Sequence, residues 1–121
     1  MRRTYHDWLA WQRSVKLAKE IYGLTKLFPD DERFGLTSQM RRAAVSVASN
    51  IAEGASRASP REFLQFLSVA KGSLSELETQ LTIAEELQLV ERGALVRTSI
   101  DDIFGLIHGL INSVKRQPSK R

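Results

Sequence analysis

The sequence predicts an all-α fold, an antiparallel up-down-up-down four-helix bundle spanning residues 1–121 as one domain. Three observations lead there. No segment alternates apolar and polar residues with the period of two that a half-buried strand requires. Four stretches instead repeat apolar residues at alternating spacings of three and four, the period of helices in a bundle. The connections between them are short and carry residues that end or start helices.

The first helix is expected over residues 5–28. Trp8, Trp11, Val15, Ala18, Tyr22 and Thr25 follow the heptad-like spacing, and Leu17, Ile21, Leu24 and Phe28 form a neighbouring stripe that widens the apolar face. Pro29 ends it, because the residue before a proline is pushed out of the helical region. Asp30, Asp31 and Glu32 then place negative charge ahead of the second helix, where the helix dipole favours it.

The second helix, expected over 36–55, is the one around which the rest is organised. Thr37 or Ser38 can cap its first turn, and Gly54 can take the left-handed conformation that ends it. On a helical wheel Leu36, Met40, Ala43, Val47 and Ile51 share one stripe. Ala44, Val45, Ala48, Ala52 and Ala55 form a second, built mostly of small side chains that let another backbone approach. Gln39, Arg42, Ser46, Ser49, Asn50, Glu53 and Arg57 make up the polar remainder. Two apolar stripes predict a helix buried on two sides.

The third helix, expected over 60–88, opens with a capping box: Ser59 at the cap, Pro60 at the first helical position and Glu62 three residues after the cap. Phe63, Leu67, Ala70, Leu74, Leu77, Leu81 and Ala84 hold the bundle period, flanked by Glu62, Phe66, Val69, Ser73, Glu76, Gln80 and Ile83. Gly72 costs about 1 kcal/mol against alanine in mid-helix, which predicts a close-packing role. The fourth helix, expected over 93–116, repeats Val96, Ile100, Ile103, Ile107, Leu110 and Val114. Gly105 and Gly109 read as a packing pair, Pro118 as the stop and Ser119-Lys120-Arg121 as a frayed basic end.

Composition removes several function classes. There is no cysteine, hence no disulfide framework and no thiolate metal site. The longest nearly apolar run, Ile103 to Ile111, is interrupted by His108 and falls short of the ~20 residues that span a bilayer. No signal peptide is recognisable, so a cytoplasmic location away from membranes is expected. Glu85-Glu86 and Asp101-Asp102 lack the histidine three residues on that di-iron bundles use, and no nucleophile or phosphate-loop motif is present. Neither metal, cofactor nor catalytic activity is expected.

The net charge of +4 is unevenly spread. Residues 36–75 hold five basic side chains against Glu53 and Glu62, whereas residues 76–104 hold Arg92 and Arg97 against seven carboxylates. This asymmetry points to an anionic partner or to head-to-tail self-association; a scattered, solvated surface is the alternative. The polar ribbon of the second helix has two readings as well. It is either an exposed face of salt bridges, Glu53 with Arg57 among them, or a hydrogen-bonded seam against Ser73, Glu76 and Gln80. The seam would leave guanidinium groups to meet phosphate.

Several runs carry a resemblance. They are Trp11-Gln12, Ile21-Tyr22, Phe28-Pro29 with Glu32, Gly35 to Gln39, Arg41 to Ser46, Asn50 to Gly54, Arg57, Phe66-Leu67, Ala70, Gly72-Ser73 and Glu76 to Gln80. From Trp11 to about Gln80 the chain resembles the four-helix-bundle proteins encoded within intervening sequences of bacterial 23S ribosomal RNA genes. Members of that family commonly carry a proline just before the Asn-Ile-Ala-Glu-Gly run, where this chain has Val47-Ala48-Ser49, so a straighter helix is expected. The resemblance implies an antiparallel bundle that assembles into a homopentamer, without catalytic activity. It also brings in the accessory proteins of diversity-generating retroelements, which bind nucleic acid and a reverse transcriptase.

The expected function is therefore a non-enzymatic, homo-oligomeric nucleic-acid-binding protein, with RNA ahead of DNA. The alternative is a protein-interaction scaffold that touches no nucleic acid. Arg41, Arg42, Arg57 and Arg61 are the candidate phosphate contacts. Ala48, Ala52, Ser73, Glu76 and Gln80 are the candidate oligomer interface.

Overall fold

A computed structural model describes residues 5–91 and 93–117. Pro118 and the basic end after it, expected to stop the last helix, lie outside the described residues, as does Arg92. Four long helices form: α1 (Leu9–Thr25), α2 (Leu36–Ala55), α3 (Pro60–Glu86) and α4 (Ala94–Lys115). Short 3₁₀ turns, Tyr5–Asp7 and Asp30–Glu32, precede α1 and α2. Among the described residues there is no strand. Each long helix packs on the helices before and after it in the chain, and α1 closes the arrangement against α4.

The core follows the predicted stripes in three helices. Leu36, Met40, Ala43, Val47 and Ile51 of α2 are buried, as are Leu67, Ala70, Leu74, Leu77, Leu81 and Ala84 of α3. Val96, Ile100, Ile103, Ile107 and Val114 of α4 meet them. In α1 the stripe is corrected. Its core face is Ala10, Ser14, Leu17, Ile21 and Thr25, while Val15 and Tyr22 are exposed. The reason is local. Ser14 Oγ donates to the Ala10 carbonyl at 2.6 Å and Thr25 Oγ1 to that of Ile21 at 2.7 Å, so both hydroxyls enter the core already satisfied.

The helix ends also differ from expectation. α1 stops at Thr25 rather than 28, and Leu27 and Phe28 continue in turns bonded to Leu24 and Thr25. Neither Thr37 nor Ser38 caps α2. The cap residue is Gly35, and Glu32 Oε1 accepts from the Leu36 amide at 3.1 Å, so the acidic run serves the helix start through one carboxylate. α2 then runs unbroken past Ala48. Gly54 is helical and buried, and a Cβ there would lie 2.7 Å from Phe66 Cβ, so it is a contact point with α3 rather than a left-handed terminator. Gly72, Gly105 and Gly109 have open space where a Cβ would point, so none has the packing role the sequence predicts for it within this chain.

α3 begins as expected, with Ser59 Oγ accepting from the Glu62 amide at 3.2 Å. It ends two residues early. Gln88 takes φ 61°, and the amides of Gln88 and Leu89 bond back to Glu85 and Ala84. This is a Schellman turn, with glutamine where glycine is usual.

Glu85 ties this end to α4. It accepts from the Gly93 amide at 3.1 Å and pairs with Arg97, which also donates to Thr82 Oγ1 at 3.0 Å. The hydrogen bond from Arg97 holds the Glu85 carboxyl below the ordinary glutamate range, aided by the Gly93 amide and opposed by burial. A depressed carboxylate stabilises the fold above its unfolded value, and the contribution fades as pH falls through the folded one. Glu85→Gln is therefore expected to cost about 1 kcal/mol at neutral pH, with the half-exposed setting limiting the loss. Thermal unfolding of both forms should show that deficit shrinking in acid below about pH 4.3. A deficit that stays constant with pH would mean the carboxylate charge is irrelevant to this joint.

Candidate nucleic-acid interface

α2 and α3 each supply four of the nine candidate residues, with Arg57 in the connection between them, and α2 packs on both α1 and α3. Towards α3, Ser46 and Ser73 share a 2.8 Å hydrogen bond, and Asn50 Nδ2 donates to Ser46 Oγ at 2.9 Å. The seam reading of the polar ribbon therefore holds at Asn50, Ser46 and Ser73. Towards α1, Arg41 reaches Thr25 and Tyr22, and Ala52 lines a groove with Tyr5. α1 and the turn before it therefore pack along this side of α2. Two-sidedness thus follows from having two intrachain neighbours and does not by itself require an oligomer.

The five candidate interface residues divide accordingly. Ser73 and Gln80 are buried in the single chain, Ala48 and Ala52 are half-buried, and Glu76 is exposed. Gln80 Nε2 points to Glu76 at 3.4 Å, and its buried Oε1 has no hydrogen-bond partner.

The four candidate arginines are not equivalent. Arg41 is clamped: Nε donates to Thr25 Oγ1 at 2.9 Å, and the guanidinium lies 4.4 Å from the centroid of the Tyr22 ring. Arg57 pairs with Glu53 at 2.8 Å and lies over the Phe66 ring at 4.8 Å, which gives it a structural role. Arg42 and Arg61 are exposed and make no ion pair among the described residues.

The structure gathers Arg41 and Arg42 with a residue that sequence reasoning missed. A shallow groove of about 690 Å³ is lined by Tyr22, Arg33, Phe34, Thr37, Ser38, Arg41, Arg42, Val45 and Ser46. Three arginines converge there with no carboxylate in the lining. Arg57 belongs to a second groove, which it shares with its partner Glu53. Arg61 lines neither. Arg33 comes from the connection between α1 and α2, and nothing in helical periodicity could have placed it. No helix among the described residues is long and apolar enough to cross a membrane.

Residues 6–109, which take in α1 to α3 and most of α4, match the family described as 23S rRNA-intervening sequence protein. The chain belongs to that family. The match extends beyond the Trp11 to Gln80 stretch that carries the resemblance in sequence, and it includes much of the fourth helix. No curated protein matches the chain significantly. In this intervening-sequence protein Arg33, Arg41 and Arg42 share one groove beside the start of α2, while the connection leading into that helix also carries Asp30, Asp31 and Glu32 outside the groove lining.

Proposed function

We propose that this intervening-sequence protein is a non-catalytic nucleic-acid-binding protein of the cytoplasm, with RNA as its ligand, and that it works as a closed homo-oligomer. The observation that carries the reading is the groove in which Arg33, Arg41 and Arg42 meet without a carboxylate. Guanidinium groups suit phosphate because their planar fork engages two oxygens at once. A pentameric ring, as the resemblance implies, would repeat the groove and multiply weak contacts through effective concentration. We read the bundle as antiparallel, supported by Arg41 meeting Tyr22 and Thr25 late in α1 and by Ala52 lying beside Tyr5 ahead of it.

The test combines mass and salt. Light scattering at micromolar concentration is expected to give the mass of a pentamer. The unmodified oligomer should bind RNA with little sequence preference and lose affinity steeply as salt rises, because neutralised phosphates release counterions. Changing Arg33 and Arg42 together to glutamate should weaken binding and lower the logarithmic salt slope by about 2 for each chain engaged, at unchanged mass, and adding Arg61→Glu tests whether the contact extends beyond the groove. Failure of the unmodified protein to retain any nucleic acid at low salt would replace this reading with the protein-interaction scaffold.

A further inference from the structure

We propose that the arginine groove takes unpaired nucleotides, with a base stacked on the ring of Phe34 and its flanking phosphates on Arg33 and Arg42. This rests on the nucleic-acid-binding reading and gives that site a substrate class.

Phe34 is 87% exposed, among the most exposed large apolar side chains of the described residues. It stands immediately before Gly35, the cap of α2, which is where a hydrophobic staple would sit. A staple needs an apolar partner at the fourth helical position, and that position is the exposed Gln39. The ring therefore does no packing for the helix start. The Arg33 guanidinium lies 5.3 Å from its centroid, and at that exposure most of the ring stays open.

The surroundings select the ligand. Tyr22, 46% exposed, adds a second ring to the groove, held by Arg41 across it. Ser38, half-buried at the groove wall, supplies a hydroxyl that can bond to a base edge. Aromatic rings interleaved with unpaired arginines are what single strands use: every base has a face to stack, and the backbone carries the charge. In a duplex the bases are already stacked on one another, so only the arginines would be engaged. The α2 N-terminus is not the attraction, since Glu32 already occupies its first amide. The volume of about 690 Å³ lies within the range of small-ligand sites.

Fluorescence anisotropy on the full-length protein tests this with three probes. They are a labelled oligouridylate, the same strand annealed to its complement, and an abasic strand of equal length. The expected result is preference for the oligouridylate over both. Phe34→Ala should weaken its binding about 5- to 150-fold, the range for losing one stacked base, while leaving the melting temperature and the abasic-strand affinity unchanged. Phe34→Trp should retain the affinity. Equal binding of all three probes, or an equal loss of affinity for the abasic strand in Phe34→Ala, would overturn the stacking site while leaving phosphate binding standing. Absence of binding to any probe at low salt would instead remove the nucleic-acid reading on which it rests.

Discussion

Truncating Leu74 to alanine is expected to lower the unfolding free energy by about 2–5 kcal/mol, and Ile103→Ala by a similar amount. Both side chains are fully buried, on α3 and α4 respectively, and both sit mid-helix where the bundle is closed on every side. The loss has two parts: the transfer of the removed methyl groups out of water, and the contacts forfeited around the cavity left behind. Neither neighbourhood can collapse easily, because the residues one turn away, Leu77 and Ala70 or Ile100 and Ile107, are equally buried. Urea titration read by helical circular dichroism checks it, through a lower midpoint at unchanged slope. Two unaltered midpoints would mean that α3 and α4 are rotated from the phase described.

The second expectation sets two glycines against each other. Gly54→Ala should destabilise by up to about 2 kcal/mol although alanine is the better helix former by about 1 kcal/mol, because overpacking a filled contact costs about 1–3 kcal/mol. The added methyl would lie 2.7 Å from Phe66 Cβ and 2.9 Å from the Phe63 ring. A ring can turn aside; a Cβ moves only with its backbone. Gly72→Ala meets nothing within 4 Å and should stabilise by about 0.5–1 kcal/mol. Thermal unfolding of the two variants should therefore shift in opposite directions. Shifts of the same sign would show that α2 and α3 are not in close contact at Gly54.

Much of the fold was legible because α3 and α4 are written plainly. Their buried positions are nearly all aliphatic, so the spacing from Phe63 to Ala84 and from Val96 to Val114 marks the core face directly. α1 was harder. Its aromatic residues Trp8, Trp11 and Tyr22 look like core and sit at the edge, while Ser14 and Thr25 look like surface and are interior. Hydroxyls that bond back to their own helix carry no mark in a hydropathy pattern. The same limit applied to the candidate site. Arg41 and Arg42 were found because they lie on a helix, whereas Arg33 and Phe34 join them only through the path of the turn that leads into α2. The Glu53–Arg57 pair was legible from its i,i+4 spacing, whereas the clamp of Arg41 on Tyr22 and the contact of Arg57 with Phe66 depend on which helices are neighbours.

The neighbour pattern of the four helices has a kinetic consequence. Three of the four helix contacts join consecutive elements, and the connection from α2 to α3 spans only residues 56–59. Chains rich in such near-sequence contacts close small loops and fold quickly. The contact between α1 and α4 is the exception, since it must bring together the two ends of the chain after most of its length has been ordered. One surface ion pair recorded there, Arg13 with Asp102 at 3.8 Å, is half exposed and adds little. The α1–α4 boundary is then expected to zip last and part first, and the α2–α3 pair to keep its amides protected from exchange longest. The arginine groove stands on the first turns of α2, so its walls there should outlast an opening of the bundle at α1 and α4.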